Sequence, residues 1–526
     1  MLRTGGALLL LLLTRTVPPC SAFRLLPHHF RPTNLQPRRR PACLLKRQLM
    51  VAGEKEQETT HIPSSAFARQ NPLSDRFDVK CFHHIEIVCA DARSTARYLE
   101  KGLGLRSRAF KNSSAGKSDS VSYLLQSGTG LRVLVTAPLQ PPEGSAVSSP
   151  GGALESREGR DGGSPGEVGL CEGAEFLSRH GTAIRAVGVE VGSAVDAYAK
   201  CVQGGGEGVL LPAWFDADSG ERLNAETASE VGRRAICISE VRLYGDVSLR
   251  FVSRSPSLSP SEELRFPGFV LSGEGDGEDS DFLLRGFDHV VGNVWDMKET
   301  MGRLEEMTGF HEFAEFTSED VGTVDSGLNS VVLASNNERV LLPINEPTFG
   351  TSRKSQIQTY LEFNGGPGVQ HVAIQCEDIF ESVRRIRKAG LVDLMKRPRA
   401  EYYADTRRRM LREKVVEEGL IDAETLECAE REGVLVDCDD QGVLLQIFTT
   451  PLFDRPTLFF EFIERRGCSL PSSASSSSSS ASNKSERSGE EEEVEKQAGG
   501  CGGFGKGNFR ELFRKVEEFE RERGYS

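Results

Sequence analysis

No Cys-x-x-Cys pair occurs anywhere in the chain, although it holds 12 cysteines, and their spacings are irregular. That argues against a zinc knuckle and against a disulfide framework, and it fits a reducing compartment. Positive charge is not in excess either. There are 64 Lys and Arg against 77 Asp and Glu, a net charge of -13, which argues against nucleic acid as a partner. Past the N-terminus no apolar run is long enough to span a membrane, so no membrane partner is expected of a mature form. The rest of the composition, 38% hydrophobic over 526 residues, is that of a globular protein with room for two or three domains.

One further absence is local. Residues 23–53 contain no acidic side chain, while Arg24, Arg31, Arg38, Arg39, Arg40, Lys46 and Arg47 are basic. That is transit-peptide composition. Before it, Arg3 precedes a short apolar run, residues 7–13, and Pro18-Pro19-Cys20-Ser21-Ala22 carries the small residues of a signal cleavage site. Residues 1–22 therefore read as signal-like, and 23–76 as transit peptide and linker. A signal followed by a transit segment, with Phe23 just after the cleavage point, is similar to the bipartite presequence of algae with secondary plastids. It predicts delivery to the plastid. Plain secretion or a cytoplasmic product are the alternatives.

The first folded unit is expected over residues 77–255. Strands are read at 81–90, 120–125, 131–137, 183–191, 235–243 and 247–252, and helices at 91–103 and 194–204, with Gly104 as a helix stop. Residues 141–173 are rich in Gly, Ser, Pro and Glu and read as a flexible loop. Residues 256–283 form a linker and 284–469 a second unit. A Ser-rich then Glu-rich insert, 470–499, reads as disordered. Residues 500–526 form a Gly-rich hinge and a terminal helix. In that helix Asn508 is a candidate N-cap, and Phe509, Leu512, Phe513, Val516 and Phe519 share one face.

The second unit opens on Phe287-Asp288-His289-Val290, which places a polar ring in an apolar strand. Two later strands carry matching oddities: His371 within residues 368–374, and Glu461 between Phe460 and Phe462. Two imidazoles and a carboxylate on three strands make a facial triad of the kind that leaves open positions on iron(II). Singly, each His reads as well as a core histidine bonded to backbone. A buried Glu is harder to explain that way, because it needs a partner. The second half also repeats the first. Phe82-His83-His84-Ile85 matches the His289 motif, and Gly104 lies as far beyond His84 as Gly309 beyond His289. Ala186 then matches His371, and Arg250 matches Glu461. A site with one ligand and a cation holds no metal. The first module is thus expected to be structural, with His84 a satisfied structural histidine.

Longer motifs carry a resemblance over the stretch from about Phe77 to the C-terminus. They are Gly286-Phe287-Asp288-His289-Val290-Val291-Gly292-Asn293, Ser326-Gly327-Leu328-Asn329-Ser330, Leu342-Pro343-Ile344-Asn345-Glu346-Pro347, Lys354-Ser355-Gln356-Ile357-Gln358-Thr359-Tyr360-Leu361, Val369-Gln370-His371, Leu444-Leu445-Gln446-Ile447-Phe448-Thr449 and Gly502-Gly503-Phe504-Gly505-Lys506-Gly507-Asn508-Phe509. In these the chain resembles the 4-hydroxyphenylpyruvate dioxygenase family of the vicinal-oxygen-chelate superfamily. The resemblance implies an α+β fold: tandem βαβββ modules forming two open barrel-like domains, with a C-terminal lid helix. It implies a non-haem Fe(II) dioxygenase, one iron per chain on His289, His371 and Glu461. The reaction would take 4-hydroxyphenylpyruvate and O2 to homogentisate and CO2, a step of tyrosine catabolism toward plastoquinone and tocopherol. Gln356, Gln370 and Gln446 fall on catalytic positions. Ser330, Asn345, Phe448, Phe459, Phe504 and Phe509 fall on substrate positions. A homodimer is expected. Two other readings remain: a 4-hydroxymandelate synthase-like enzyme on the same scaffold, and a non-catalytic vicinal-oxygen-chelate binding protein.

Overall fold

Helix ends in this chain are set by side chains. Asp91, Asp296 and Asp378 each accept a hydrogen bond from the backbone N–H three residues on, opening the helices Ala92–Leu103, Met297–Thr308 and Ile379–Ala389. Each helix stops at a glycine in the left-handed region, Gly104, Gly309 and Gly390, where a Cβ would be strained. The expected stop at Gly104 is therefore a left-handed C-cap.

A computed structural model describes residues 70–111, 120–128, 130–139, 170–258, 266–272, 281–316, 327–350, 353–412, 415–416, 419–439, 442–467 and 500–524. The presequence, the insert 470–499 and most of the tract 141–173 lie outside the described residues. The end of that tract is not loop, as expected, but the start of the helix Leu170–His180. No described helix is long and apolar enough to cross a membrane.

Two mixed β-sheets carry the fold. The first runs, in spatial order, Val270–Leu271, Arg106–Lys111, Ser120–Ser127, Leu131–Pro138, Val79–Val88, Ala183–Val191, Val247–Arg254, Ala235–Tyr244, Gly208–Asp216 and Arg222–Leu223. The second runs His311–Phe316, Leu328–Ala334, Leu341–Pro347, Leu284–Asn293, Gly368–Cys376, Phe459–Arg466, Val443–Phe448 and Leu435–Cys438. With the two short strands Val270–Leu271 and Arg222–Leu223 set aside, each sheet reads 2-3-4-1-5-8-7-6 in chain order. The sequence reading missed Arg106–Lys111 and Gly208–Asp216, where exposed and buried residues mix without clean alternation.

Side-chain alternation assigns the faces of the strand Phe459–Arg466. Phe460 and Phe462, both 0% exposed, point into the main apolar core, each burial contributing about 1.5–3 kcal/mol. Glu461 points to the opposite side by the two-residue period of a strand. The same core reaches across both sheets, where the Phe82 and Phe287 rings meet edge to face at 6.4 Å. A rigid, doubly buried sheet centre thus supports the polar residues on its other face.

Candidate metal centre and cavity

The three candidate ligands sit on three adjacent strands. His289 lies opposite Ala373 in the antiparallel pair, and Val291 opposite His371. Ala373 in turn lies beside Glu461 in the parallel pair that follows. His289 and Glu461 are therefore both in register with Ala373, and its small side chain leaves space between them. His371 enters two residues away on the same face. This pairing brings together residues separated by up to 172 positions in the chain (461 − 289).

His289 Nε2 lies 3.2 Å from Glu461 Oε2, and His371 Nε2 lies 3.4 Å from the same oxygen. All three ligand atoms fall within 4.8 Å of one another, and all three residues are buried. Two donors about 2.1 Å from one ion and about 90° apart lie about 3.0 Å from each other. The observed spacings fit one first-row metal ion held on one side by N, N and O. Both imidazoles are oriented from behind. His289 Nδ1–H donates to Asp288 Oδ1 at 2.8 Å, and His371 Nδ1–H donates to Gln370 Oε1 at 3.0 Å. Each bond turns Nε2 toward the centre.

Electrostatics agrees with the geometry. Burial pushes the Glu461 carboxyl up, but the two imidazoles outweigh it and hold it at about 2. Burial also disfavours charge on His289, yet Glu461 and the Asp288 hydrogen bond raise it to about 9. Burial lowers His371, and the bond to Glu461 only partly opposes that. Asp288 is buried too, and Arg465 holds it far below the carboxylate range. Without a metal, a proton on His289 pairs with the Glu461 carboxylate, and a divalent ion would displace that proton on binding.

The triad lines a mainly apolar cavity. Ser330, Asn345, Gln356, Gln370 and Gln446 all line it. So do Phe448, Phe459, Phe504 and Phe509. Some carry a second duty that the sequence did not reveal. Phe459 stacks on His371 at 4.8 Å and 18°. Gln356 Nε2 donates to Phe513 O at 2.7 Å, tying a cavity amide to the terminal helix. Asn345 Nδ2 donates to Asn293 Oδ1 at 3.1 Å.

The terminal helix, Phe509–Arg523, covers the cavity with Phe509, Leu512, Phe513, Val516 and Phe519. The face expected from helical spacing is the one it presents. Asn508 does not cap it. It sits in the helical region as the last residue of a short 3-10 turn, and its Oδ1 accepts from Tyr402 O–H at 2.6 Å instead. The glycines before the helix also differ from expectation. Gly500, Gly502, Gly503 and Gly505 all have positive φ. A Cβ on Gly505 would stand 2.5 Å from Gln446 Nε2, and one on Gly502 2.8 Å from the Val443 backbone. The run is glycine because it turns left-handed while lying against the sheet. Cys501 within it is disulfide-bonded, whereas the irregular cysteine spacing had suggested no such bond.

Several cavity residues went unnoticed in the sequence. Phe316 meets Phe509 at 5.4 Å and has no motif to mark it. Glu520 lines the cavity, where burial and nearby Glu517 push its carboxyl up to about 7. Its signal was available: it follows Phe513 and Val516 at helical spacing. Arg465 had a signal too, standing four residues past Glu461 on the same strand face.

The first sheet carries the comparison. Gly188 pairs with both His84 and Arg250, so Arg250 holds the place of Glu461, while Ala186 holds that of His371. Arg250 fills the centre with its own charge. It donates to Glu240 at 2.6 Å and to Glu86 at 2.5 Å, and lies 3.0 Å from His84 Nε2. Burial opposes the Glu86 charge, but Arg250 and Arg185 hold its carboxyl at about 2. Arg250→Met should therefore leave two buried carboxylates with Arg185 as their shared cation and cost about 3–5 kcal/mol by denaturant unfolding. Metal content should stay unchanged, since no ligand is touched. The Glu86 contribution should be full above the ordinary carboxylate range and fade as pH falls toward 2. The variant should show a weaker dependence, since Arg185 and Thr136 still face Glu86. An Arg250→Met protein as stable as wild type, or one with altered metal content, would contradict this account.

Known proteins resemble the chain over most of its length. The chain is 43% identical over 461 residues to a 4-hydroxyphenylpyruvate dioxygenase of Plectranthus scutellarioides, covering 86% of this chain and 92% of that one. It is 44% identical to the protein of that name from Arabidopsis thaliana, covering 87% and 92%, and 42% identical to that from Hordeum vulgare, covering 88% and 92%. No protein-family model matches. Among solved structures, a mutant 4-hydroxymandelate synthase from Streptomyces coelicolor shares the fold, with a TM-score of 0.58 and 21% identity, covering 85% of this chain and 99% of that one. With its buried two-histidine, one-glutamate centre and these relatives over most of its length, the chain belongs to the 4-hydroxyphenylpyruvate dioxygenase family.

Proposed function

We propose that the protein converts 4-hydroxyphenylpyruvate and O2 to homogentisate and CO2, using one Fe(II) per chain. The observation that carries this is the convergence of His289 Nε2 and His371 Nε2 on one Glu461 oxygen lining an apolar cavity. His289, His371 and Glu461 would hold the metal, which when bound supplies substrate chelation and the activation of O2.

The rest is the protein's own work. Gln370 orients His371 through its Nδ1–H and presents its amide to the cavity. Gln446, Gln356, Asn345 and Ser330 offer donors and acceptors to the phenol and the carboxylate. Phe448, Phe459, Phe504 and Phe509 surround the ring and fix its plane. The terminal helix excludes water while the reaction proceeds. Each half is read as a vicinal-oxygen-chelate, barrel-like domain, and the chain as a homodimer, checked by light scattering.

The decisive assay gives the purified Fe(II) protein 4-hydroxyphenylpyruvate and follows O2 and product together. Equimolar O2 uptake and homogentisate are expected. A product of 4-hydroxymandelate would point to the related synthase chemistry, and no turnover with bound iron would leave a binding protein. Residues 1–53 should deliver a fluorescent reporter to the plastid of an alga with secondary plastids. Phe23→Ala should divert it to the secretory system. A diffuse cytosolic signal from the intact segment would overturn plastid delivery.

A further inference from the structure

Beyond the triad, one buried cation touches both the carboxylate behind His289 and the glycine-rich tail. Arg465 donates from Nε to Asp288 Oδ2 at 2.8 Å and from Nη2 to Asp288 Oδ1 at 2.7 Å. Its remaining nitrogen, Nη1, donates to Gly503 O at 2.7 Å and to Cys501 O. Its guanidinium carbon lies 5.7 Å from the centre of the Phe504 ring. Both Asp288 and Phe504 bear on the same imidazole. Asp288 Oδ1 accepts from His289 Nδ1–H at 2.8 Å, and Phe504 meets the His289 ring edge to face at 5.3 Å. The side chains of Arg465 and Asp288 are 4% and 5% exposed.

We infer that Arg465 is a positioning residue that couples seating of the glycine-rich tail to the orientation of the metal ligand His289. The inference rests on His289, His371 and Glu461 being a metal site. Its physical basis is the planar fork of the guanidinium. One edge is committed to Asp288, and Nη1 donates to the Cys501 and Gly503 carbonyls of the tail. Lifting the tail takes these two acceptors from Arg465 and removes the Phe504 ring from the His289 edge. The fork then loses its fixed plane, and Asp288 loses the partner that aims it at His289. Seating the tail and aiming the ligand become one event, and the coupling must act in both directions.

The first sheet shows what happens without this arrangement. The counterpart of Arg465 there is Arg254, which pairs with Glu190 at 3.0 Å. The counterpart of Asp288 is His83, whose Nδ1 lies 2.8 Å from His84 Nδ1. The clasp accompanies the triad and is absent where Arg250 replaces it.

The test uses full-length metal-free protein and Co(II) as the probe. Affinity is measured by chelator competition, geometry by the visible spectrum of bound Co(II), and tail seating by hydrogen exchange over residues 500–508. Arg465→Gln should weaken Co(II) binding by about tenfold or more, alter the spectrum and speed tail exchange. Asp288→Asn should do the same from the other side. Arg465→Lys keeps the buried charge beside Asp288 and guards against a folding defect. It should restore part of the affinity but not the tail protection, because an ammonium cannot bridge both partners. Faster tail exchange in Arg465→Gln and Arg465→Lys with wild-type Co(II) affinity and spectrum would refute the coupling while sparing the metal site. Wild-type protein that binds no Co(II) would sink both.

Discussion

Substituting alanine for His371 should abolish homogentisate formation, by at least about a thousandfold, while the fold stays in place. A thousandfold is about 4 kcal/mol of barrier, within what a bound metal supplies. The triad has three donors and no spare among the described residues. Removing one leaves His289 and Glu461 facing each other at 3.2 Å, a pair that satisfies itself by an ion pair rather than by a metal. The structural loss is smaller. His371 gives up its stack on Phe459 and its bond to Gln370. Its strand stays paired on both sides, with Leu284–Asn293 and Phe459–Arg466. Iron content, product by chromatography and the melting curve measure the three effects separately. Wild-type turnover with a normal iron content in His371→Ala would remove His371 from the site.

Deleting residues 509–526 should leave the metal bound but destroy coupled turnover. The helix supplies one apolar wall of the cavity, and Phe513 is 2% exposed in a cluster with Phe313, Phe316 and Leu328. Losing the Phe513 burial alone costs about 2 kcal/mol, and the partly buried Phe509 and Leu512 add to it, so the melting point should fall while both sheets keep their strand pairing. Residues 500–508 remain, and with them the Arg465 contacts to Cys501 and Gly503. Metal affinity should therefore change little. The open cavity admits water, and O2 uptake should run ahead of homogentisate, with kcat/KM down about a hundredfold or more. A truncated enzyme with full activity and tight O2-to-product coupling would show that the helix is not a lid. Loss of metal on this deletion would make it a structural element of the site instead.

Much of the site was legible because its parts violate local rules. His289, His371 and Glu461 each put a polar group into an apolar strand, and such groups need partners. The internal match of His84 with His289 then separated the two halves by chemistry. The cover helix was legible from its spacing alone. What escaped notice depends on contacts that have no period. Phe316 reaches the cavity from a strand whose own pattern is ordinary, whereas Glu520 was overlooked because a carboxylate on an apolar helix face reads as surface. The tail glycines were read as freedom, since a glycine run has high entropy when free. Their real cause lies outside the run: Gln446 and the Val443 backbone leave no room for a Cβ.

By itself the sequence determined most of the first unit's strands, the helix stop at Gly104, the three candidate ligands and the absence of two of them from the first half. These follow from residue type and from contacts only a few positions apart. Tertiary structure alone decided the register, because a shift of one residue would turn each ligand into the core. It placed Ala373 opposite His289 and beside Glu461, so that three strands present one concave face to a cation. It turned Asn508 from a cap into a partner of Tyr402, and Phe459 into a support for His371. It also joined Arg465 to Asp288 across 177 positions and to the tail beyond. Side chains that distant meet only after the sheet is built, so no local pattern could have recorded the encounter.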